Sequence, residues 1–230
     1  MLKNTIALVT VVLLVCGCSS SGGGDKKSAK NKEVGFTPLF NGADFTGWTY
    51  GSDAKGVQRK AGKGYQYRDG VVYCTVTDGG NLFTEKEYGN FILRFDFKLT
   101  PGANNGVAIR SPLSGQIAYE GIEIQILDDT AEKYAKLRPE QYHGSVYDVA
   151  AAERGHLKPV GEWNSQEITA NGRHITVKLN GYTIVDTNLD DVKDDAKLKK
   201  HPGLNNASGH LGFLGHGAEV EFRNVRIKEL

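Results

Sequence analysis

Apolar residues occupy every second position from Phe91 to Leu99. The odd positions are aromatic or aliphatic, and the even positions are Ile92, Arg94, Asp96 and Lys98. Because successive side chains of a β-strand point to opposite faces, this segment is predicted to be a strand with one face against a core. Similar runs, separated by turn residues such as Gly, Asn and Asp, occur at 70–76, 106–110, 121–129, 166–170, 174–179, 183–186, 210–214 and 220–228.

Turn residues indicate that the strands are antiparallel. Asn180-Gly181 accepts the positive φ angles of a two-residue hairpin turn and separates two alternating segments. Only 129–137 has a helical pattern, and the mixed charges of 190–200 fit a solvated loop or a short helix. Many short strands without regularly interspersed helices predict an all-β fold, an antiparallel β-sandwich with one short helix. Residues 33–230 have a suitable length for a single domain of this kind.

The segment 121–129 combines a core-facing pattern with polar groups. Its three isoleucines share one face, and Glu123 and Gln125 share the other. A bulge at 126–127 would bring Asp128 onto the same face as Glu123. The resulting row of acid, amide and acid suits sugar hydroxyls and acid–base chemistry at a carbon–oxygen bond. The alternative interpretation is an ordinary strand whose polar face contacts solvent.

Two further segments carry candidate site residues. Arg110 is in phase with Gly106 and Ala108, whose small size leaves space for a ligand beside the guanidinium. Arg110 would bind sugar oxygens or form a plain ion pair. His143 and Tyr147 lie in a predicted loop, where an imidazole can exchange protons and a phenol can contact a sugar ring. A surface histidine without a role is the alternative for His143.

Trp163, Asn164 and His216 complete the candidates. Trp163 follows a Pro-Val-Gly turn and is either a core residue or a platform for a sugar ring. The amide of Asn164 either satisfies turn backbone or recognises a hydroxyl group. Glycines flank His216 on both sides, which lets a ligand approach closely and favours a site histidine.

Residues 1–17 predict a secretion signal, because a short positive start precedes an apolar run that is short for a membrane span. The sequence Val-Cys-Gly-Cys at 15–18 resembles a bacterial lipobox, in which cleavage leaves Cys18 to carry lipid. Residues 18–32, rich in Ser, Gly and Lys, predict a flexible tether. We expect a lipid-anchored protein of the cell envelope, at the periplasmic face or the outer-membrane surface. Cys74 then lacks a disulfide partner and is expected to be a packed small hydrophobe.

The charge balance excludes nucleic acid as an expected partner. The chain has 28 Lys and Arg against 27 Asp and Glu, and no basic cluster stands out apart from the tether and 193–200. No residue spacing matches zinc ligands, and no glycine-rich loop precedes a helix as in nucleotide-binding sites. No metal or other cofactor is predicted as established, although carboxylates and imidazoles in a groove can hold a divalent cation.

Several segments, taken in order along the domain, resemble the 3-keto-disaccharide hydrolase family, long known only as a domain of unknown function. They are TPLFNGADFTGW at 37–48, NG at 105–106 followed by Arg110, EIQILD at 123–128, GEWN at 161–164, HG at 216–217 and FRNVRI at 222–227. The resemblance implies a jelly roll of the concanavalin A-like lectin and glucanase type, with a sugar groove on its concave face. Many members are lipoproteins of Bacteroidetes-type bacteria.

The resemblance also implies a reaction. Members cleave glycosides whose sugar carries a ketone at its third carbon, and they release a 3-keto sugar. The ketone acidifies the hydrogen on the second carbon, so a base can abstract that proton and expel the leaving group before water adds. The resemblance therefore implies a hydrolase that works through elimination and hydration.

Carried over to this chain, the implied roles fall on polar residues of the matching segments. Glu123 is the candidate base or acid, and His143 or His216 is the second proton carrier. The other groups would polarise the ketone, orient hydroxyls or hold a catalytic partner, and they are Arg110, Gln125 and Asp128.

Two other functions fit the same residues. A non-catalytic carbohydrate-binding lipoprotein would use aromatic platforms such as Trp163, because lectins share this architecture. A conventional glycanase would use Glu123 and Asp128 as a carboxylate pair, about 5 Å apart in a retaining enzyme and farther apart in an inverting one. In all three cases the expected partner is a carbohydrate, and the membrane is contacted only through the lipid anchor.

Overall fold

The computed structural model describes residues 33–52, 64–75 and 79–230. The predicted signal segment at 1–17 and the tether at 18–32, including Cys18, lie outside the described residues and stay predictions. Within the described ranges, no helix is both long enough and apolar enough to cross a membrane.

Thirteen β-strands make up much of the described chain and are numbered in chain order. Their bounds are β1 Thr37–Pro38, β2 Trp48–Tyr50, β3 Tyr65–Arg68, β4 Val71–Cys74, β5 Asn81–Tyr88, β6 Phe91–Leu99, β7 Asn104–Ser111, β8 Ile122–Leu127, β9 Trp163–Asn171, β10 His174–Leu179, β11 Tyr182–Asn188, β12 Gly209–Gly215 and β13 Val220–Glu229. Two short α-helices, α1 and α2, span Ile117–Glu120 and Asp195–Lys200. Short 3₁₀ helices lie at Glu132–Tyr134, Pro139–Gln141, Leu189–Asp191 and Pro202–Asn205.

The strands form two antiparallel sheets that enclose a hydrophobic core. The larger sheet has the order β11-β10-β9-β6-β13-β4-β3, with β1 also paired to β13, and the smaller has the order β2-β5-β12-β7-β8. Aromatic side chains from both sheets meet between them, and the rings of Phe213 and Phe222 stack with their centroids 4.1 Å apart. Burial of large apolar side chains is the main stabilising contribution to such a sandwich. The predicted all-β antiparallel β-sandwich is confirmed.

Strands with strict alternation have the bounds that the sequence predicts. β6 alternates between buried and half-buried side chains over its whole length. Asn180 and Gly181 have φ angles of +51° and +91°, as the hairpin turn between β10 and β11 requires. β5 was not predicted, because its buried residues at 82–84 are consecutive and do not alternate.

The helical pattern at 129–137 does not form an α-helix. Within it lies one 3₁₀ helix, Glu132–Tyr134. The backbone N–H and the hydroxyl of Thr130 both donate to Asp128 Oδ1, and this side-chain turn competes with the first turn of a helix. α2 lies within 190–200, where the charges predict a loop or a short helix, and the Asp194 side chain caps its N-terminus.

Candidate functional site

The outer face of the smaller sheet carries the polar residues of β8. Glu123 and Gln125 lie on this face, opposite Ala108 and Gly106 of β7 respectively. These two small residues leave the space above β7 to the longer side chains of β8. The three isoleucines of β8 face the core, as the sequence predicts: Ile122, Ile124 and Ile126.

The side chain of Glu123 lies against β7. A Cβ atom added to Gly106 would be 2.8 Å from Glu123 Cδ and 3.0 Å from Cγ, so the side chain covers Gly106. Glu123 is only 4% exposed, yet no described residue donates a hydrogen bond to its carboxylate. Buried carboxylates normally have donors or cations as partners, so this carboxylate keeps its capacity to accept from a ligand.

His216 is the titratable neighbour of Glu123. Its Nε2 atom lies 3.9 Å from Glu123 Oε1, and about half of its side chain is exposed. His216 follows β12 in a turn where Gly217 has a φ of +75°. A Cβ atom on Gly79 would be 3.2 Å from the Gly217 nitrogen, so the backbone of this turn packs closely against Gly79. The structure thus brings together Glu123 and His216, and the imidazole can hold or release a proton beside the carboxylate.

A short loop segment pairs with the free edge of β8. The Tyr147 N–H donates to the Glu123 carbonyl at 2.9 Å, and the Gln125 N–H donates to the Ser145 carbonyl at 3.0 Å. This antiparallel pairing places Tyr147 opposite Glu123 on the same face. Gln141 Nε2 donates to the Tyr147 hydroxyl at 3.1 Å. The sequence indicated Tyr147 but not Gln141, whose role depends on how the loop folds.

Gln125 offers a free donor next to Glu123. Its Oε1 atom accepts from the Ile126 N–H at 3.1 Å, which fixes the amide, and among the described residues Nε2 has no acceptor. An amide NH₂ group in this position can donate to an oxygen of a ligand.

Hydrophobic side chains close one side of the same face. Phe83, Ala108, Leu214 and Ile117 form a buried cluster separate from the main core, with Leu113 packed against it. Ile117 belongs to α1, so the connection from β7 to β8 folds back over the outer surface of the sheet. Ligand sites commonly combine an apolar lining with a few polar groups of this kind. Strand alternation could not reveal the cluster, because its cover comes from a loop.

Arg110 does not lie on the Glu123 face. Ile109 and Arg110 of β7 lie opposite the single residue Leu211 of β12, and Arg110 has a φ of +48°. This bulge changes the side-chain phase that the sequence implies. The guanidinium is buried at one end of the sandwich, where it donates to the carbonyl groups of Gly89, Gly172 and Asn206 and to the side chain of Asn90. The predicted substrate-binding role does not fit this position.

His143 lies in the core between the sheets. Its Nδ1 atom accepts from the Leu127 N–H at 3.2 Å, so Nε2 carries the proton and donates to Gln166 Oε1 at 3.1 Å. The imidazole stacks on Phe97. Burial lowers the pKa of His143 to about 3, which keeps the ring neutral. The interpretations of His143 as a proton carrier and as a surface histidine therefore do not fit its position.

Asp128 supports a turn at the end of β8. The pairing of β8 with β7 has no bulge, so Asp128 is not added to the Glu123 face. Asp128 Oδ2 accepts from the Gly102 N–H at 2.7 Å, and Oδ1 accepts from Thr130. Burial acts to raise the pKa of Asp128, but the hydrogen bonds from Thr130 and Gly102 outweigh it and lower the pKa. This carboxylate has its partners already, which does not fit a catalytic role.

Trp163 and Asn164 also lie away from Glu123. Trp163 is on the outer face of the larger sheet, where Arg223 lies 3.9 Å and Lys98 lies 5.0 Å from its ring centroid. It is therefore neither a core residue nor a platform beside Glu123. Asn164 Oδ1 accepts from Asn180 Nδ2 at 2.9 Å and from a loop N–H, which agrees with the turn interpretation.

Cys74 is fully buried in the core, and burial raises the pKa of its thiol. The expectation of a packed small hydrophobe is confirmed. In the part of the chain that the structure describes, no three His, Cys, Asp or Glu side chains converge into a group that could hold a metal ion.

The sequence pattern of a family described as the 3-keto-alpha-glucoside-1,2-lyase-like domain matches residues 35–228. The chain belongs to this family. The match includes Glu123, Gln125, Tyr147 and His216, and it confirms the resemblance found in the sequence.

Two similar proteins carry names of sugar-cleaving enzymes. The 3-keto-disaccharide hydrolase of Bacteroides thetaiotaomicron is 28% identical over 234 residues, which covers 85% of this chain and 79% of the relative. The crystal structure of a provisionally named glycosyl hydrolase from Parabacteroides distasonis has a TM-score of 0.72 at 27% identity, and the likeness covers 85% of this chain and 99% of that chain.

A more distant likeness concerns the fold alone. A Bacillus subtilis protein with a galectin-like fold has a TM-score of 0.53 at 12% identity, over 85% of this chain and 95% of that chain. The family match and the name of the Bacteroides thetaiotaomicron relative support a carbohydrate as the partner of this protein.

Proposed function

We propose that this protein cleaves the glycosidic bond of 3-keto-glycosides or 3-keto-disaccharides. The observation that carries the proposal is the Glu123 carboxylate, which is almost fully buried, accepts no hydrogen bond from a described residue and lies 3.9 Å from the His216 imidazole. The family match and the name of the Bacteroides thetaiotaomicron relative support the substrate class. One description names a lyase and the other a hydrolase, which fits a reaction that starts as an elimination and ends with hydration.

In the proposed reaction, the substrate's ketone acidifies the hydrogen on the neighbouring second carbon. Glu123 takes this proton, the electron pair of the C–H bond moves toward the ketone oxygen, and the enolate expels the glycosidic oxygen from the first carbon. Water then adds to the first carbon, and the second carbon regains a proton to give the 3-keto sugar. General base catalysis typically contributes roughly 10²–10⁴-fold to the rate.

The expelled oxygen needs a proton, and His216 is the proposed donor. Its imidazole lies beside Glu123 and about half of it is exposed, so it can protonate the leaving oxygen and recover a proton from water. His216 therefore acts as the general acid in this scheme.

Two neutral groups are the proposed ligands of the sugar oxygens. Gln125 Nε2 has no acceptor among the described residues, so it is available to donate to the ketone oxygen, whose negative charge grows as the enolate forms. The Tyr147 phenol, held by Gln141, is available to a sugar hydroxyl on the same face.

A conventional glycanase mechanism has less support. That mechanism needs two carboxyl groups on opposite sides of the scissile bond. Asp128 accepts hydrogen bonds from Gly102 and Thr130 on both of its oxygens, so it is committed to a turn. Glu123 acting with an imidazole fits elimination next to a ketone better.

Incubation of the purified protein with a 3-keto-glycoside and with its unoxidised parent tests the proposal. We expect mass spectrometry to show cleavage of the keto form alone. Equal cleavage of the parent would instead support a conventional glycanase, and binding without cleavage of either compound would support a glycan-binding lipoprotein.

We further propose that lipid on Cys18 anchors the domain to the cell envelope, with residues 18–32 as the tether. The lipobox-like sequence at 15–18 supports this localisation. Fractionation of cells that produce the full chain should place the protein with membranes, and Cys18→Ser should release it. An unchanged membrane fraction for Cys18→Ser would contradict the anchor.

A further inference from the structure

Gly106 is unusual because its backbone conformation does not require glycine. It lies inside β7 in regular antiparallel pairing with β8, and its φ angle is not positive. Glycine within a strand is unfavourable because it loses more conformational freedom on folding than other residues. A glycine in such a position commonly marks the close approach of another group.

The group that approaches Gly106 is the Glu123 side chain. A Cβ atom on Gly106 would lie 2.8 Å from Glu123 Cδ and 3.0 Å from Cγ, and closer still to Oε1. Ordinary van der Waals contact begins at about 3.4 Å, so a methyl group here requires the carboxylate to retreat by about 1 Å. The space that small residues of β7 leave open is therefore filled by Glu123 itself.

Packing against β7, rather than hydrogen bonds from described residues, holds the Glu123 carboxylate in place. No described residue donates to it, in contrast to Asp128, whose oxygens accept from Gly102 and Thr130. Donors to such a carboxylate would occupy the lone pairs that have to accept a proton. Packing against Gly106, which has no side chain, fixes the position of the carboxylate and leaves its oxygens available to a ligand.

We propose that Gly106 is a positioning residue, whose missing side chain lets the Glu123 carboxylate lie on β7 next to His216. The proposal rests on the proposed role of Glu123 as the base. A side chain at position 106 lifts the carboxylate away from the imidazole and from the hydrogen it removes. A base displaced by about 1 Å typically loses about 10²-fold in rate.

The test combines Gly106→Ala with Glu123→Asp, which shortens the acid by one methylene group. Gly106→Ala alone should lower kcat about 10²-fold with little change in KM. The double variant should be no slower than Glu123→Asp alone, because the shorter side chain leaves room for the methyl group. Rate losses that multiply in the double variant would overturn the proposal, since independent effects add in free energy.

A crystal structure of Gly106→Ala without substrate separates this proposal from the proposed function. We expect the same fold, with the Glu123 carboxylate displaced by about 1 Å and farther from His216 Nε2. A carboxylate that stays in place would overturn the positioning role whatever the enzyme cleaves. A displaced carboxylate in a protein that cleaves no 3-keto-glycoside would keep the positioning role and refute the proposed function alone.

Discussion

The N-terminal and C-terminal ends of β8 both carry buried titratable groups, but these groups have different surroundings. At the end of the strand, Asp128 accepts from Gly102 and Thr130, and His143 bonds to Leu127 and Gln166. Near the start of the strand, the equally buried Glu123 accepts no hydrogen bond from a described residue, and His216 Nε2 lies 3.9 Å from its carboxylate.

The groups at the C-terminal end of β8 thus stabilise the fold, whereas Glu123 is available for chemistry. A buried polar group whose hydrogen bonds are all made within the protein stabilises the fold and has nothing to offer a ligand. A buried carboxylate without donors is a cost to the fold that a substrate can offset. Unused hydrogen-bonding capacity is therefore a better guide to the site than burial alone.

The largest expected effect is that of Glu123→Gln. The amide keeps the shape of the side chain but cannot take a proton, so kcat/KM for a 3-keto-glycoside should fall by about 10³-fold. The melting temperature should not decrease, because no hydrogen bond from a described residue is lost. Glu132→Gln on the exposed surface is the matched control and should keep full activity. Full activity in Glu123→Gln would remove the difference between the two ends of β8.

His216→Ala should have the next largest effect. Without the imidazole the leaving oxygen takes its proton from water, and kcat should fall by about 10²-fold. Substrates with a more acidic leaving group, such as a nitrophenol, need this proton less and should show a smaller loss. An equal loss for good and poor leaving groups would argue against His216 as the acid.

The sequence predicted much of the fold and part of the candidate site that the structure brings together. Alternation located β6, β8 and β10, and the glycines around His216 marked an accessible histidine. The expected phase of Arg110 with Gly106 and Ala108 was wrong, because a bulge, set by pairing with β12, turns its side chain away from them. His143 could not be identified as a core residue, since its burial depends on Phe97 and Gln166 from a different strand pair. Contacts between distant segments decided each of these cases.

Asp128→Ala should affect stability more than chemistry. The substitution leaves the Gly102 N–H and the Thr130 groups without their acceptor, so the free energy of unfolding should drop by about 2 kcal/mol while kcat/KM stays near wild type. The folded pKa of Asp128 is lowered, so its contribution is present above the ordinary value of 3.8 and is lost as the pH falls below it. Urea titrations at several pH values should show that Asp128→Ala lacks this acid-sensitive part. A selective loss of kcat in this variant would contradict the structural role.

His143→Gln should have the smallest effect on catalysis, and it should change the pH dependence of stability. Burial lowers the pKa of His143 from 6.5 to about 3, so between these values the unfolded chain binds a proton that the folded chain does not. Stability present above pH 6.5 should therefore be lost by about 1.4 kcal/mol per pH unit as the pH falls. His143→Gln should reduce this slope, and the same substitution at exposed His174 should leave it in place. An unchanged slope in His143→Gln would place the histidine outside the core in solution.

The central claim is that Glu123 removes the hydrogen on the carbon next to the ketone, and isotope substitution at that carbon tests it most directly. Wild-type protein would be given a 3-keto-glycoside carrying deuterium at its second carbon and, in parallel, the unlabelled compound. We predict that the labelled compound is cleaved several-fold more slowly, because its C–D bond breaks in the slow step. Equal cleavage rates, with deuterium fully retained at the second carbon of the product, would contradict proton abstraction by Glu123.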